Sequence, residues 1–267
     1  FRSQVFGDKA PQLLYQARDL TIAWHGAHLF PNGDILFNFQ DNSFPFGSGL
    51  VKLDKNSNVI WKLAVNTHHD VTVMDDGTIW VPSQRYRPEG LPEFPALEPW
   101  FYEDVILEVS PDGKIRREIS ALKALADNKG LLNITYSEEH TITTQDPLHL
   151  NNVEPLPASM AAAFPMFKPG DLLVSFRNIN TIAVIDPATK KVKWTMTGPF
   201  ARQHDPDFLP NGHLMVYDNL GGPTACGGTR ILEIDPERGI VDSTSMDLVV
   251  DLAVDAQGNL WATRVTD

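Results

Sequence analysis

Residues 204–219 read HDPDFLPNGHLMVYDN, and the same grammar returns at 25–40 (HGAHLFPNGDILFNFQ) and at 69–84 (HDVTVMDDGTIWVPSQ). In each stretch a short apolar-alternating run meets a Pro-Asn-Gly or Asp-Asp-Gly turn. A second run rich in β-branched, aromatic and other apolar residues follows, which is how a β-hairpin reads. In each, a histidine (His25, His69 or His204) stands eight positions before the turn glycine. A second kind of hairpin alternates with the first: GLVKLDKNSNVIWKL (49–63), VILEVSPDGKIRREI (105–119), TIAVIDPATKKVKWTM (181–196) and RILEIDPERGIV (230–241). Two hairpins in series make a four-stranded antiparallel unit.

The register positions 25, 69, 151, 204 and 250 are 44, 82, 53 and 46 residues apart. Repeats of about 40–50 residues with four strands each predict propeller blades. The expected fold class is therefore all-β, a β-propeller of four-stranded antiparallel blades, with six blades or an incomplete or five-bladed version of that ring. The whole chain, 1–267, reads as a single propeller domain with insertions at about 85–103 and 121–140. The first insertion, RYRPEGLPEFPALEPWFYE, is a Pro- and aromatic-rich loop that could carry a protein partner. The second opens on ALKALADNKGLLN (121–133), read as a short helix. The last unit, VDLAVDAQGNLWATRV (250–265), has Val250 in the histidine slot. Either residues 1–20 supply its outer strands or the ring is incomplete.

Composition narrows the function classes. The net charge of −12 argues against non-specific nucleic-acid binding, which needs a basic face. There is no apolar run long enough to span a bilayer as a helix. Cys226 is the only cysteine, so no internal disulfide can form.

In a propeller the innermost strands run along the central channel in one sense, so residues at their starts converge on one mouth. His25, His69 and His204 take that place. In DPLHLNNVEPLP (146–157) Asn151 takes it, with His149 two residues earlier on the same strand face. Seven residues after each turn glycine stand Gln40, Gln84, Arg177 and Asn219, expected opposite the register position on the partner strand. Asp70, Asp146 and Asp205 adjoin the motifs and are expected to point away and orient their neighbours. Arg, Asn, Gln and protonated His suit a tetrahedral oxyanion. A neutral imidazole adds a nucleophile or a general acid and base. His28, His68, His140 and His213 lack the register and read as surface or structural residues.

The stretches AWHGAHLFPNGDILFNF (23–39), THHDVTVMDDGTIWVPSQ (67–84), DPLHLNNVEPLP (146–157), GDLLVSFRNINTIAVIDPATKKVKW (170–194) and GPFARQHDPDFLPNGHLMVYDN (198–219) resemble the arylsulfotransferase family of bacterial β-propellers. The resemblance covers roughly residues 20–240 and is strongest to a broad, little-characterised branch. It implies sulfuryl transfer from an aryl sulfate ester to a phenolic acceptor, independent of PAPS, through a sulfohistidine intermediate. On the matching motifs, His204 in RQHD would be the nucleophile. His149 and Asn151 in HLN, Arg177 in SFRN and His69 in HHD would bind sulfate or handle protons. The expected catalytic residues are thus His204, His149 and His69, and the substrate-binding ones Arg177, Asn151 and His25. A structural role competes most strongly at His25. No cofactor and no metal are expected, and the partners are an aryl sulfate and a phenol. The family also implies a periplasmic or extracellular, cell-surface location. Two other readings stay open on the residues alone. One is a non-catalytic propeller serving as a binding or assembly module; the other is a metal-dependent propeller hydrolase using the clustered imidazoles.

Overall fold

A computed structural model of the chain describes residues 23–40, 48–97, 100–126, 145–219, 228–245, 249–254 and 260–264. Its strands are β1 (Ala23–Leu29), β2 (Ile35–Gln40), β3 (Ser48–Leu53), β4 (Val59–Leu63), β5 (Thr72–Val73), β6 (Ile79–Arg87), β7 (Phe101–Val109) and β8 (Ile115–Ser120). After helix α1 (Ala121–Ala126) come β9 (Leu150–Pro155), β10 (Leu172–Phe176), β11 (Thr181–Asp186) and β12 (Lys191–Thr197). They are followed by β13 (His204–Phe208), β14 (Leu214–Asp218), β15 (Arg230–Asp235), β16 (Gly239–Ser245), β17 (Val249–Val254) and β18 (Leu260–Arg264).

The strands form antiparallel meanders in chain order: β1 to β4, β5 to β8, β9 to β12 and β13 to β16, with β17 and β18 as a two-stranded sheet. Each four-stranded sheet is two hairpins in series, of the kind the repeat predicts. The chain divides into two compact units, residues 1–86 with 104–120, and residues 87–103 with 121–267. The first holds the β1–β4 sheet and nearly all of the β5–β8 sheet. The second holds the other three sheets. Residues 1–20, Cys226, His140 and the chain from 127 to 144 lie outside the described residues. Of the expected helix at 121–133, the described part is α1.

Burial explains the two hairpin kinds. Strands β10 and β11 are buried along their whole length, whereas β12 alternates between exposed and covered positions. Central strands are thus covered on both faces, and the outermost strand turns polar residues to water. In the first unit Leu36, Leu50, Val81, Val105 and Leu107 share one fully covered apolar core. In the second, Leu173, Ile182, Val184, Leu214, Val216 and Leu232 do the same. Each such side chain contributes about 1.5–3 kcal/mol when removed from water. A repeated indole tie joins neighbouring sheets within each unit. Trp61 Nε1 donates to the Pro111 carbonyl at 3.0 Å, and Trp194 Nε1 to the Pro236 carbonyl at 2.9 Å.

The turns that set the register are also repeated. Phe30 and Asp34 close one hairpin by a Phe30 N–H to Asp34 C=O bond of 2.9 Å, and Leu209 with His213 closes another at 2.8 Å. The glycine before each closing residue, Gly33 or Gly212, has φ 88°, a left-handed conformation that glycine adopts without a Cβ penalty. Beyond the turns the ladder departs from expectation. The register histidine was expected opposite the residue seven after the glycine. Instead His25 pairs with Asn38 and His204 with Tyr217, five after it. The turn accounts for one residue, since it pairs Leu29 with Ile35 and Phe208 with Leu214, and a bulge accounts for the other: register shifts lie between His25 and Ala27, between His204 and Asp207, and between Val249 and Asp251. Each bulge adds a residue on the inner strand and re-aims the side chain before it.

The 85–103 insertion is packed at its apolar residues. Phe94 and Leu97 are buried, while Trp100 is exposed. Within it Arg87 is ion-paired to the buried carboxylate of Glu103.

Candidate functional site

In the second unit, the bulge at the start of β13 places His204. Asp205, the residue after it, takes φ 50° and is held by Asn152 Nδ2 donating to its Oδ1 at 3.2 Å. The His204 ring is fixed through Nδ1, which lies 3.0 Å from the Arg202 carbonyl and 2.6 Å from Asn219 Oδ1. A backbone carbonyl can only accept, so Nδ1 carries the hydrogen and the lone pair of the neutral ring is on Nε2. Asn219 reaches the ring from the partner strand as a diagonal neighbour of the Tyr217 pair. The His204 pKa is lowered from the usual 6.5, first by burial and further by the charges of His149 and Arg177, while the Asn219 bond raises it in part. His149 and Arg177 therefore lie within electrostatic reach of this imidazole, and at neutral pH it is uncharged.

His149 sits just before β9 with φ 55°, and its Nδ1–H donates to Asp146 Oδ2. The Asp146 carboxylate thus orients His149, the role expected of the acidic residues beside the motifs. Arg177 follows β10 and opens a 3-10 turn (Arg177–Ile179), and its backbone N–H donates to the His149 carbonyl at 3.1 Å. Its guanidinium Nη1 donates to Asn178 Oδ1 at 2.7 Å, and Asn178 Nδ2 donates in turn to the Asp146 carbonyl at 2.6 Å. His149, Arg177 and Asp146 thus form one hydrogen-bonded corner.

Asn151 is buried in β9, and its Nδ2 donates at 2.9 Å to the carbonyl of Gln203, the residue before His204. Its Oδ1 is buried with no hydrogen-bond partner. Gln203 is itself fully covered, and its Nε2 donates to Ser175 Oγ, the Phe176 carbonyl and the Thr181 carbonyl, each at 3.1 Å. Asn151 and Gln203 therefore hold the His204 backbone between two blades. Gln203 carries no register signal; its position beside the histidine in RQHD is the only cue in the sequence.

In the first unit His25 and His69 come together, ring centroids 5.1 Å apart and edge to face. His69 has φ 54°. Asn38, opposite His25 in the ladder, clamps that backbone: its Nδ2 lies 3.3, 3.4 and 2.7 Å from the carbonyls of His68, His69 and Asp70. Gly26, at φ 33°, passes so close that a Cβ there would stand 2.5 Å from the His69 carbonyl oxygen. Asp70 caps its own turn, accepting from Val71 N–H at 2.7 Å and Thr72 Oγ1 at 3.2 Å.

The left-handed residue breaks the strand alternation, so two consecutive imidazoles meet. His68 Nδ1 and His69 Nδ1 are 2.9 Å apart. His68 is 1% exposed, and its Nε2 lies 3.8 Å from Asp104 Oδ1, itself fully buried. Gln84 Nε2 donates to that same oxygen at 3.4 Å. His68, expected at the surface or in a structural role, is thus not at the surface, and no register signal points to this cluster.

Of the other histidines off the register, His213 is tied to Glu233 at 2.6 Å, and His28 packs edge to face on Phe30. Burial lowers the His28 pKa, with Lys52 adding to the effect. Among the described residues no group of three or more His, Cys, Asp or Glu is placed to hold a metal ion. No helix among them is long and apolar enough to cross a membrane.

Comparison with known proteins places these features. No curated protein matches the chain. Its fold is similar to that of a protein of unknown function from Bacteroides caccae, with TM-score 0.55 and 13% identity over 92% of this chain and 71% of that one. It is also similar to a streptogramin B lyase, with TM-score 0.52 and 11% identity over 92% of this chain and 66% of that one. The structural neighbours are β-propellers, and the fold is an all-β propeller of four-stranded antiparallel blades. The family described as Arylsulfotransferase (ASST) matches residues 26–263, beyond the last motif that carries the resemblance, and the chain belongs to that family.

Proposed function

We propose that this protein transfers a sulfuryl group from an aryl sulfate ester to a phenolic acceptor, with His204 as the nucleophile. The observation that carries the reading is the state of His204. Its Nδ1–H is engaged by the Arg202 carbonyl and Asn219, its proton affinity is lowered, and it has Arg177 and His149 close by. In the first half-reaction the Nε2 lone pair attacks sulfur. The N–S bond forms, the S–O(aryl) bond breaks, and the bonding pair leaves with the phenolate. Arg177, with one edge fixed by Asn178, offsets charge on the sulfuryl oxygens. His149 enters this half-reaction as imidazolium with Nδ1–H held by Asp146, gives its Nε2 proton to the leaving phenolate and is left neutral. In the second half-reaction an acceptor phenol loses its proton to His149. Its oxygen attacks sulfur, and the N–S pair returns to His204.

Asn151 supports the reaction through the backbone before His204 as well as by any contact with sulfate. The family resemblance supports placing the reaction outside the cytoplasm. Fractionation of the producing cell with a compartment marker would test that placement, and a cytoplasmic pool alone would refute it.

The assay is 4-nitrophenyl sulfate with a phenol acceptor and no PAPS. The expected result is nitrophenol release and, without acceptor, a sulfuryl adduct mapped by mass spectrometry to His204. His204→Ala should lower transfer on the order of 10⁴-fold or more. A folded protein that releases no nitrophenol, or one whose His204→Ala variant keeps full activity, would sink the proposal.

A further inference from the structure

His68, together with Asp104, does work that the sulfuryl-transfer reading does not use. Two imidazole nitrogens 2.9 Å apart share one proton, so the His68–His69 pair has two arrangements. In one, His69 Nδ1–H donates to His68 and the His69 lone pair is on Nε2. In the other, His68 donates and His69 carries its hydrogen on Nε2. Asp104 selects between them. Its carboxylate oxygen faces His68 Nε2 at 3.8 Å within a fully covered site, too far for a direct hydrogen bond but close for an unscreened charge. A negative charge there favours the hydrogen of His68 on Nε2. His68 Nδ1 is then an acceptor, and His69 must donate.

We infer that His68 is a positioning residue, biased by Asp104, which holds His69 in the tautomer whose lone pair is on Nε2 and so makes His69 an acceptor for a hydroxyl-bearing ligand. The backbone enforces the pairing. The left-handed His69 and the Asn38 clamp on the carbonyls of residues 68–70 bring both rings to one side, where a regular strand would separate them. A phenol is a simple ligand of this kind, and neither its binding in the first unit nor the tautomer depends on the sulfuryl-transfer reading.

The test reads the tautomer itself, by imidazole ¹⁵N shifts and two-bond proton–nitrogen correlations on the folded full chain. The wild type should show His69 protonated at Nδ1 and His68 at Nε2. His68→Phe should leave His69 as a tautomer mixture. His68→Asn, whose Oδ1 falls near the lost Nδ1, should restore the wild-type state. His69 protonated at Nε2 in the wild type, or unchanged in His68→Phe, would overturn the inference. The wild-type spectrum decides even where a variant fails to fold. The dissociation constant of phenol, read from its effect on the His69 ¹⁵N shifts, should rise roughly 2- to 10-fold in His68→Phe and recover in His68→Asn, the size of one neutral hydrogen bond. An unchanged phenol affinity in His68→Phe overturns the ligand role. Expected tautomers in a wild type that turns over no aryl sulfate support the positioning role and refute the sulfuryl-transfer reading instead.

Discussion

The two units hold their motif imidazoles by different chemistry. In the second, His149 Nδ1 meets the Asp146 carboxylate directly, and His204 Nδ1 meets only neutral oxygens. In the first, His69 Nδ1 meets another imidazole, with the carboxylate one ring further away. In the neutral ring each of these partners draws the hydrogen to Nδ1 and leaves the lone pair on Nε2. They differ in what happens when Nε2 acquires a proton. A carboxylate partner stabilises the imidazolium that forms, while a carbonyl in a buried site does not. In the proposed reaction the second unit thus pairs a proton carrier with a neutral nucleophile. In the proposed arrangement of the first, a hydrogen-bond acceptor has its carboxylate acting through a relay.

The two carboxylates should respond most differently to loss of charge. Asp146→Asn puts an amide against His149, which can donate to Nδ1 and force the wrong tautomer. Transfer should fall about 10²- to 10⁴-fold, the range of a lost general acid–base partner. Asp104→Leu removes a charge that acts through His68 within the first unit, so the loss of transfer should stay under about tenfold. Steady-state transfer with varied phenol separates the two. Equal losses would mean that His69 carries protons as His149 does.

The buried asparagines sharpen the comparison in stability. Asn38 Nδ2 faces three carbonyls of the neighbouring blade, whereas Asn151 Nδ2 bonds one. Both replacements by Ala strand buried acceptors, at about 1–3 kcal/mol each. Asn38→Ala should sit at the upper end, because the left-handed His69 loses its clamp as well, and Asn151→Ala at the lower. Urea unfolding with an unchanged m-value reads the difference, and a larger loss at Asn151 would reverse it.

The sequence carries the blades because their cues are local. Turn glycines such as Gly33 and Gly212, period-two apolar runs and the recurrent Trp61 and Trp194 each act within one hairpin or between successive ones. That His149 and Arg177 lie near His204 was legible for the same reason, since strand starts in successive blades lie side by side. The His68–Asp104 pair was not. Strand alternation turns consecutive residues apart, and nothing about a histidine announces that His69 takes a positive φ. The residues after two of the register histidines do carry a hint. Gly26 and Asp205 belong to types that tolerate a left-handed backbone, and both adopt one. The turn register moves the expected pairing from Asn219 to Asp218, and the bulge moves it on to Tyr217. Asp104 lies beyond an insertion, outside any spacing argument.

The smallest expected effect tests His204 alone. Its pKa lies below 6.5 because burial outweighs the Asn219 bond. A lowered pKa keeps the ring neutral as pH falls, so nitrophenol release should hold through pH 6.5 and decline only once His204 is protonated at a lower pH. Asn219→Leu removes a bond that raises the proton affinity and adds apolar cover, and both shift the acid limb further down. Arg177→Met removes a nearby positive charge that lowers it, so the limb moves up even as the rate falls. The opposed signs discriminate. A pre-steady-state burst measured across pH reports the first half-reaction alone, where His204 is the attacking group. If both variants moved the limb the same way, the titrating group would be another residue, and the neutral-nucleophile half of the comparison would fail while the Asp146–His149 half stood.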